Sequence, residues 1–290
     1  MSRARDGWLE RDGVDLHYLE WKPETEAGEP AIVLLHGLSS NARYWQRIVQ
    51  HLPNRRIVAL DQRAHGLTGS GAHQPRFPEG YAMPELVADV SALSDALGLV
   101  HPVVVGHSWG ATVALNVVAS DPAFASALVF IDGPIQNFER VFAWEEAQQV
   151  MQPPLPRYRS IQDAIKDSRR HFLEAWRNDL RPFVEARVMP DGRELVLTLT
   201  APVRLELLRG MYFTNTDELW SRVQVPAVVL VAEHTFPGIR RSVEEGVERL
   251  RESAPHVVVK RMDSPHDIPL YLPDEVAAEI ERVSVAGAVG

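Results

Sequence analysis

A run of three valines that stops at a glycine constrains this chain more than any other stretch: Val103-Val104-Val105, then Gly106-His107-Ser108-Trp109-Gly110. Three consecutive β-branched residues are too few for a helix and suit a strand buried on both faces. Ala111, Ala114, Val117 and Val118 then describe a helix packed on a sheet. The stretch therefore predicts strand, sharp turn and helix, with a G-x-S-x-G match at the turn. A serine aimed out of so tight a turn occupies a strained backbone position, where a side chain at either flank would collide with neighbouring backbone. Glycine at 106 and 110 removes both collisions. The turn also puts the Trp109 amide at a helix N-terminus, where an unpaired N–H and the helix dipole can stabilise an oxyanion.

Other matches share this order: His36-Gly37 after a strand, Asp61-Gln62-Arg63-Ala64-His65-Gly66 after the next, and Ser264-Pro265-His266-Asp267 near the end. Together with GHSWG they make the chain resemble the α/β-hydrolase fold superfamily from about residue 14 to residue 283. The resemblance implies a mostly parallel, doubly wound α/β sheet with an inserted, mainly helical cap. It assigns core to 1–133 and 224–290 and the cap to 134–223. It also implies that Leu38 supplies a second oxyanion amide, that His36 braces its loop, and that Asp61, Arg63 and His65 are scaffolding.

Composition narrows the function. With 45% hydrophobic and 24% charged residues, the 290-residue chain has the balance of a soluble globular protein with a sizeable core. A net charge of −9 argues against a nucleic-acid groove or an anionic membrane surface as partner. The lack of cysteine excludes disulfides, thiolate metal sites and a cysteine nucleophile. Met1 to Asp12 has no apolar run of the signal-peptide kind, and nothing is long enough to span a bilayer, so cytoplasmic residence is the expectation. No cofactor or metal is implied.

Along the chain, apolar alternation around Asp12-Gly13 predicts an edge hairpin. Ala31 to Leu35, Ile57 to Leu60, Ala127 to Ile131, Pro226 to Val231 and His256 to Arg261 read as further strands. Ser39 to Asn41 can cap a helix carrying Trp45, Ile48 and Leu52. Gly66 to Gly80 reads as a long loop, and Pro84 to Leu97, closed by Gly98, as an amphipathic helix. Within the insertion, helices are expected at Phe138 to Val150, Ile161 to Leu180 and Val203 to Tyr212, with a hairpin at Pro190-Asp191-Gly192 and a stiff connector at Pro153-Pro154-Leu155-Pro156. The insertion is rich in aromatics, which should mostly form a small core of its own, with two or three left as pocket walls. Ile239 to Leu250 and a segment with Val276, Ile280 and Val283 complete the helices.

A serine hydroxyl is a poor nucleophile at neutral pH, so a histidine must take its proton and an acid must orient that histidine. His107 adjoins the serine but should point elsewhere at a sharp turn. His17, His51, His73, His101, His171 and His256 read as loop or strand-start residues. The family order of serine, acid, histidine leaves His266, on the loop after the last strand. Family members mostly carry the acid after the penultimate strand, in phrases like G-E-x-D, where this chain reads Ala232-Glu233-His234-Thr235. Thr235 cannot hold the charge. Some members, haloalkane dehalogenases and a group of serine lactonases among them, place it before the cap, which is Asp132 here. Asp132 is thus the expected acid, with Glu233 as the alternative.

The resemblance then implies a serine hydrolase opening a carboxylic ester or lactone of a small, largely apolar substrate. Carbon–carbon bond hydrolysis, thioester hydrolysis and perhydrolysis use the same triad, and the fold also serves as a small-molecule receptor. Haloalkane dehalogenases and epoxide hydrolases need a carboxylate nucleophile, and position 108 is serine.

Overall fold

In the computed structural model, which describes residues 4–23, 28–70, 77–235 and 237–287, the valine run is a central strand. The strands are β1 (Arg5–Arg11), β2 (Val14–Trp21), β3 (Ile32–Leu35), β4 (Ile57–Leu60), β5 (Val103–His107), β6 (Ala127–Ile131), β7 (Arg157–Tyr158), β8 (Val188–Asp191), β9 (Glu194–Leu197), β10 (Ala227–Ala232) and β11 (Val258–Met262). Eight of them form one sheet in the order β1-β2-β4-β3-β5-β6-β10-β11, and β7-β9-β8 form a second. From β4 to β11 every neighbouring pair in the large sheet is parallel. β2 alone runs antiparallel to its neighbours.

Strand periodicity divides the core in two. Val103 and Val105 lie with Val129 and Ile131 against Ile48, Val276, Ile280 and Val283 of the helices Gln46–Gln50 and Pro273–Gly287. Val104 points the other way, toward Leu86, Val90, Val113, Val243 and Val247 of Met83–Leu97, Trp109–Ser120 and Pro237–Ser253. Each fully buried valine, leucine or isoleucine contributes about 1.5–3 kcal/mol. With helices on both faces, the doubly wound parallel sheet expected from the sequence is the architecture found.

Turn chemistry follows residue type. Asp12 and Gly13 take φ of 50° and 75°, the left-handed pair a two-residue hairpin requires. Gly98 closes Met83–Leu97 at φ 62°. Asn41 accepts the Arg43 N–H and starts a 3₁₀ turn, Ala42–Trp45, that runs on into Gln46–Gln50.

Three expected elements differ. The stretch read as a loop from Gly66 begins with a helical turn, Gly66–Ser70, because the Asp61 carboxylate accepts the Leu67 N–H at 2.9 Å. Residues 71–76 of that stretch lie outside the described residues, as does His73. The helix expected over Ile161 to Leu180 ends at Phe172, because Leu173 takes φ 46° and turns the chain into two short 3₁₀ segments. Phe138 to Val150 is likewise split, by extended backbone at Ala143, into Phe138–Arg140 and Trp144–Met151. Two histidines expected on loops or strand starts lie elsewhere: His17 within β2, and His171 within Ile161–Phe172.

The segment between β6 and β10 has no apolar core apart from the rest. Leu207, Leu208, Met211 and Trp220 join the cluster around Val104, whereas Phe172, Leu180 and Phe183 join the one around Val103. Among the described residues, no helix is long and apolar enough to cross a membrane.

A buried ion pair ties the Asp61–Gly66 loop to this framework. Arg63 Nε and Nη2 donate to the two Asp89 oxygens at 2.6 and 2.8 Å, and Arg11 Nη1 adds a third bond at 2.8 Å. Removing one partner strands a buried charge. Asp89→Ala should therefore lower unfolding free energy by about 3–5 kcal/mol in denaturant titrations; a loss below 1 kcal/mol would show that the pair does not anchor the loop.

Candidate active site

The turn after β5 has the geometry its residues demand. Ser108 takes φ 54° and ψ −120°, a conformation that side chains rarely adopt. A Cβ on Gly106 would lie 2.5 Å from the Gly110 carbonyl oxygen, and one on Gly110 would lie 2.3 Å from that of Leu35. Both glycines are thus required by close backbone approach. The Ser108 N–H is held by the Ile131 carbonyl at 2.8 Å, which fixes the turn to the end of β6.

Ser108, His266 and Asp132 meet there. Ser108 Oγ is 2.9 Å from His266 Nε2, across 158 positions of sequence. His266 Nδ1 is 2.5 Å from Asp132 Oδ2, and Asp132 Oδ1 accepts the Ala232 N–H at 3.0 Å. Because β6 and β10 are neighbours, a carboxylate at the end of either can face the loop after β11. Here the end of β10 supplies only a backbone donor. Glu233 is exposed and borders a separate groove with His234, Arg240 and Glu244, and Thr235 bonds back to the Ala232 carbonyl at 2.7 Å. Of the two candidate acids, the fold brings Asp132 to His266.

The charges are mutually adjusted. Burial works against the Asp132 carboxylate, but the His266 bond and charge and the Ala232 N–H outweigh it and hold its pKa below the ordinary value. The His266 ring, whose side chain is 53% accessible, borders two cavities. Desolvation opposes its protonation, yet the bond and charge of Asp132 leave its pKa above the ordinary 6.5.

Three supporting residues escaped the sequence reading. His107 makes no bond to Ser108 Oγ, as expected, but it is not idle: its Nε2 lies 3.0 Å from the His266 carbonyl oxygen and therefore carries the proton. Burial lowers its pKa to about 4, so the ring is neutral at pH 7. It stacks on Tyr44 at 5.1 Å, and the Tyr44 hydroxyl donates to Asp267 at 3.0 Å. Asp267 is itself held down to about 2: burial raises it, but His171, 3.6 Å away, and the charges that His107 and His266 carry in acid prevail. No local motif could have announced this brace, since its members lie far apart in sequence.

The loop after β3 is propped by the Asp61–Gly66 loop. Gln62 N donates to His36 Nε2 at 3.1 Å, and Ser39 N to His65 Nε2 at 3.0 Å, so each imidazole offers a neutral acceptor nitrogen. Burial lowers the pKa of both rings, which suits those roles. The Asp61 carboxylate takes the Ala42 N–H at 2.6 Å as well as that of Leu67. The Leu38 and Trp109 amides find no acceptor among the described residues. Gly37 comes so close that a Cβ there would lie 3.3 Å from Ser108 Cβ.

Ser108 and His266 border both cavities. One, of about 460 Å³, is walled by Pro134, Ile135, Phe138, Phe142, Met151, Met211, Ile239 and Val243. The other, of about 670 Å³, is more polar and is walled by Ser39, Tyr44, Tyr158, Phe172, Phe183, Arg187, Arg204 and Asp267, with the Pro153–Pro156 connector along one side. Five aromatics of the insertion, Phe138, Phe142, Tyr158, Phe172 and Phe183, thus line cavities, more than the two or three expected. Among the described residues, no group of three or more histidines, aspartates or glutamates is arranged to hold a metal ion.

Comparison with known proteins agrees with this geometry. A family model described as alpha/beta hydrolase fold matches residues 30–173. Epoxide hydrolase 4 of Mus musculus is 31% identical over 127 residues, covering 43% of this chain and 33% of that protein. Lipase LipV of Mycobacterium tuberculosis is 33% identical over 119 residues, covering 41% and 42%. The chain thus matches less than half the length of these curated relatives. The crystal structure of E-2-(acetamidomethylene)succinate hydrolase superposes with a TM-score of 0.78 at 21% identity, covering 98% of this chain and all of that one. The sheet order, the strained turn and the matched family model agree, and the chain belongs to the α/β-hydrolase fold superfamily.

Proposed function

We propose that this protein is a serine hydrolase that opens a carboxylic ester or lactone through an acyl-enzyme. The observation that carries the reading is the unbroken relay from Ser108 Oγ through His266 to Asp132, at 2.9 and 2.5 Å. Ser108 Oγ attacks the acyl carbon while its proton passes to His266 Nε2. The oxyanion is taken by the free Leu38 and Trp109 N–H groups, the latter at the start of a helix. Asp132 steadies the imidazolium, which gives its proton to the leaving alkoxide as the tetrahedral intermediate collapses. A water then attacks the acyl-enzyme with His266 as base, freeing the acid and restoring Ser108. The segment 134–223 acts as a cap, supplying the outer walls of both cavities.

The curated relatives include epoxide hydrolases and a lipase. Epoxide opening through an alkyl-enzyme ester needs a carboxylate at the nucleophile position, which Ser108 does not provide, whereas a lipase reaction uses the serine as found. That difference favours acyl transfer.

A panel of p-nitrophenyl esters and lactones of graded size tests the reading. Hydrolysis should fall by about 10⁴-fold or more in Ser108→Ala; turnover surviving in that variant would place the chemistry elsewhere. Asp132→Asn should lower kcat by about 10³–10⁴-fold with the fold intact, because the amide no longer fixes the imidazole tautomer. An unaltered rate would remove Asp132 from the relay. In the wild type, kcat/KM should rise with pH through the His266 pKa, since only the neutral ring accepts the serine proton. That midpoint lies above the ordinary 6.5, and Asp132→Asn, which removes the charge holding it up, should move the midpoint to lower pH. A midpoint unmoved or raised in the variant would contradict the coupling.

A further inference from the structure

The two cavities at Ser108 differ in charge. Arg187, which follows the helix Arg181–Glu185, places its guanidinium 5.3 Å from the Phe183 ring centre, and its enclosed Nε has no partner. Arg204, on the helix Ala201–Tyr212, donates from Nη1 to the Ser39 hydroxyl and from Nη2 to the Met151 carbonyl at 2.9 Å, while its Nε is likewise unpartnered. Neither makes an ion pair among the described residues. Elsewhere this chain matches its buried arginines with carboxylates, as in Arg63 with Asp89 and Arg55 with Glu281. The two carboxylates of the cavity are otherwise engaged: Asp167 accepts the Tyr158 hydroxyl at 2.8 Å, and Asp267 accepts that of Tyr44 at 3.0 Å.

An enclosed cation with no directly paired carboxylate is costly, and a ligand that supplies one recovers part of that cost on binding. Desolvation lowers the pKa of both arginines; the more distant charges of Asp267 and Asp167 only partly offset it at Arg187, and the Arg187 charge lowers that of Arg204 further. We propose that Arg187 and Arg204 form a carboxylate subsite, so that the substrate joins an apolar arm, seated against Phe138 and Phe142, to an arm that ends in a carboxylate. The guanidinium fork matches the two carboxylate oxygens. Asp167 and Asp267 already hold negative charge in the same cavity, which favours a monoanion over a phosphate dianion. This names a substrate class for the proposed hydrolysis and rests on that reading; the expected apolar substrate then describes one arm only.

Two matched pairs test it with the full chain: mono-p-nitrophenyl adipate against p-nitrophenyl hexanoate, and p-carboxyphenyl butyrate against phenyl butyrate. The wild type should favour the carboxylated member of one pair by about 10- to 100-fold in kcat/KM. Arg187→Gln and Arg204→Gln should each bring that ratio toward one, and Arg187→Lys should recover part of it. Calorimetric binding of the preferred monoester to Ser108→Ala, lost when Arg187→Gln is added, reads the subsite without turnover. Ratios at or below one in both pairs, or a ratio that neither substitution changes, would overturn the subsite while leaving ester hydrolysis standing. Monoester binding with no turnover by the wild type would overturn the hydrolase reading and leave the subsite. If Arg187→Gln fails to fold, the binding of carboxylated against neutral ester to Ser108→Ala decides between the two.

Discussion

The site depends on one strained residue. Ser108 is held at φ 54° between a strand buried on both faces and a helix that begins at the next residue. That conformation persists only because the surroundings over-determine it: the Ile131 carbonyl holds the Ser108 N–H, and the missing side chains of Gly106 and Gly110 let β3, β5 and the helix close up. The same approach brings Gly37 beside the serine and leaves the Trp109 N–H at the helix start. The strained serine and the free donors beside it are therefore products of one packing constraint.

Around that turn, parallel strand ends act as interchangeable platforms. β5 carries the serine, β6 the aspartate and β11 the loop with the histidine, while β10, between the last two, contributes a backbone N–H to the aspartate. An acid can move from the end of β10 to the end of β6 without disturbing the histidine, because both ends face it. This is a physical account of why Thr235 can stand where relatives of the resembling pattern carry a carboxylate. The support beneath follows a second pattern: three buried histidines are kept neutral and used as hydrogen-bonding struts, His36 and His65 under the loop after β3, His107 under the loop of His266.

Where chemistry is written locally, the sequence was legible. The valine run, the paired glycines and the apolar spacing after them led to β5, the turn and its helix, and chain order led to His266. The resemblance favoured Asp132 over Glu233, but sequence could not show that the end of β6 reaches the histidine, because which strand ends are neighbours is a property of sheet order. The helix expected to run on from Ile161 failed at Leu173, where a single positive φ overrides an apolar pattern that continues past it. Arg187 and Arg204 carried no signal at all: their significance lies in the carboxylates they do not meet, which only the fold reveals.

The most direct measurement is mass spectrometry after exposure to a fluorophosphonate, which forms a stable adduct only with a serine whose proton can be removed. A single adduct on Ser108 is expected in the wild type, with labelling slowed by orders of magnitude in His266→Ala. An unlabelled Ser108, or one labelled equally fast without His266, would contradict the relay on which this account stands.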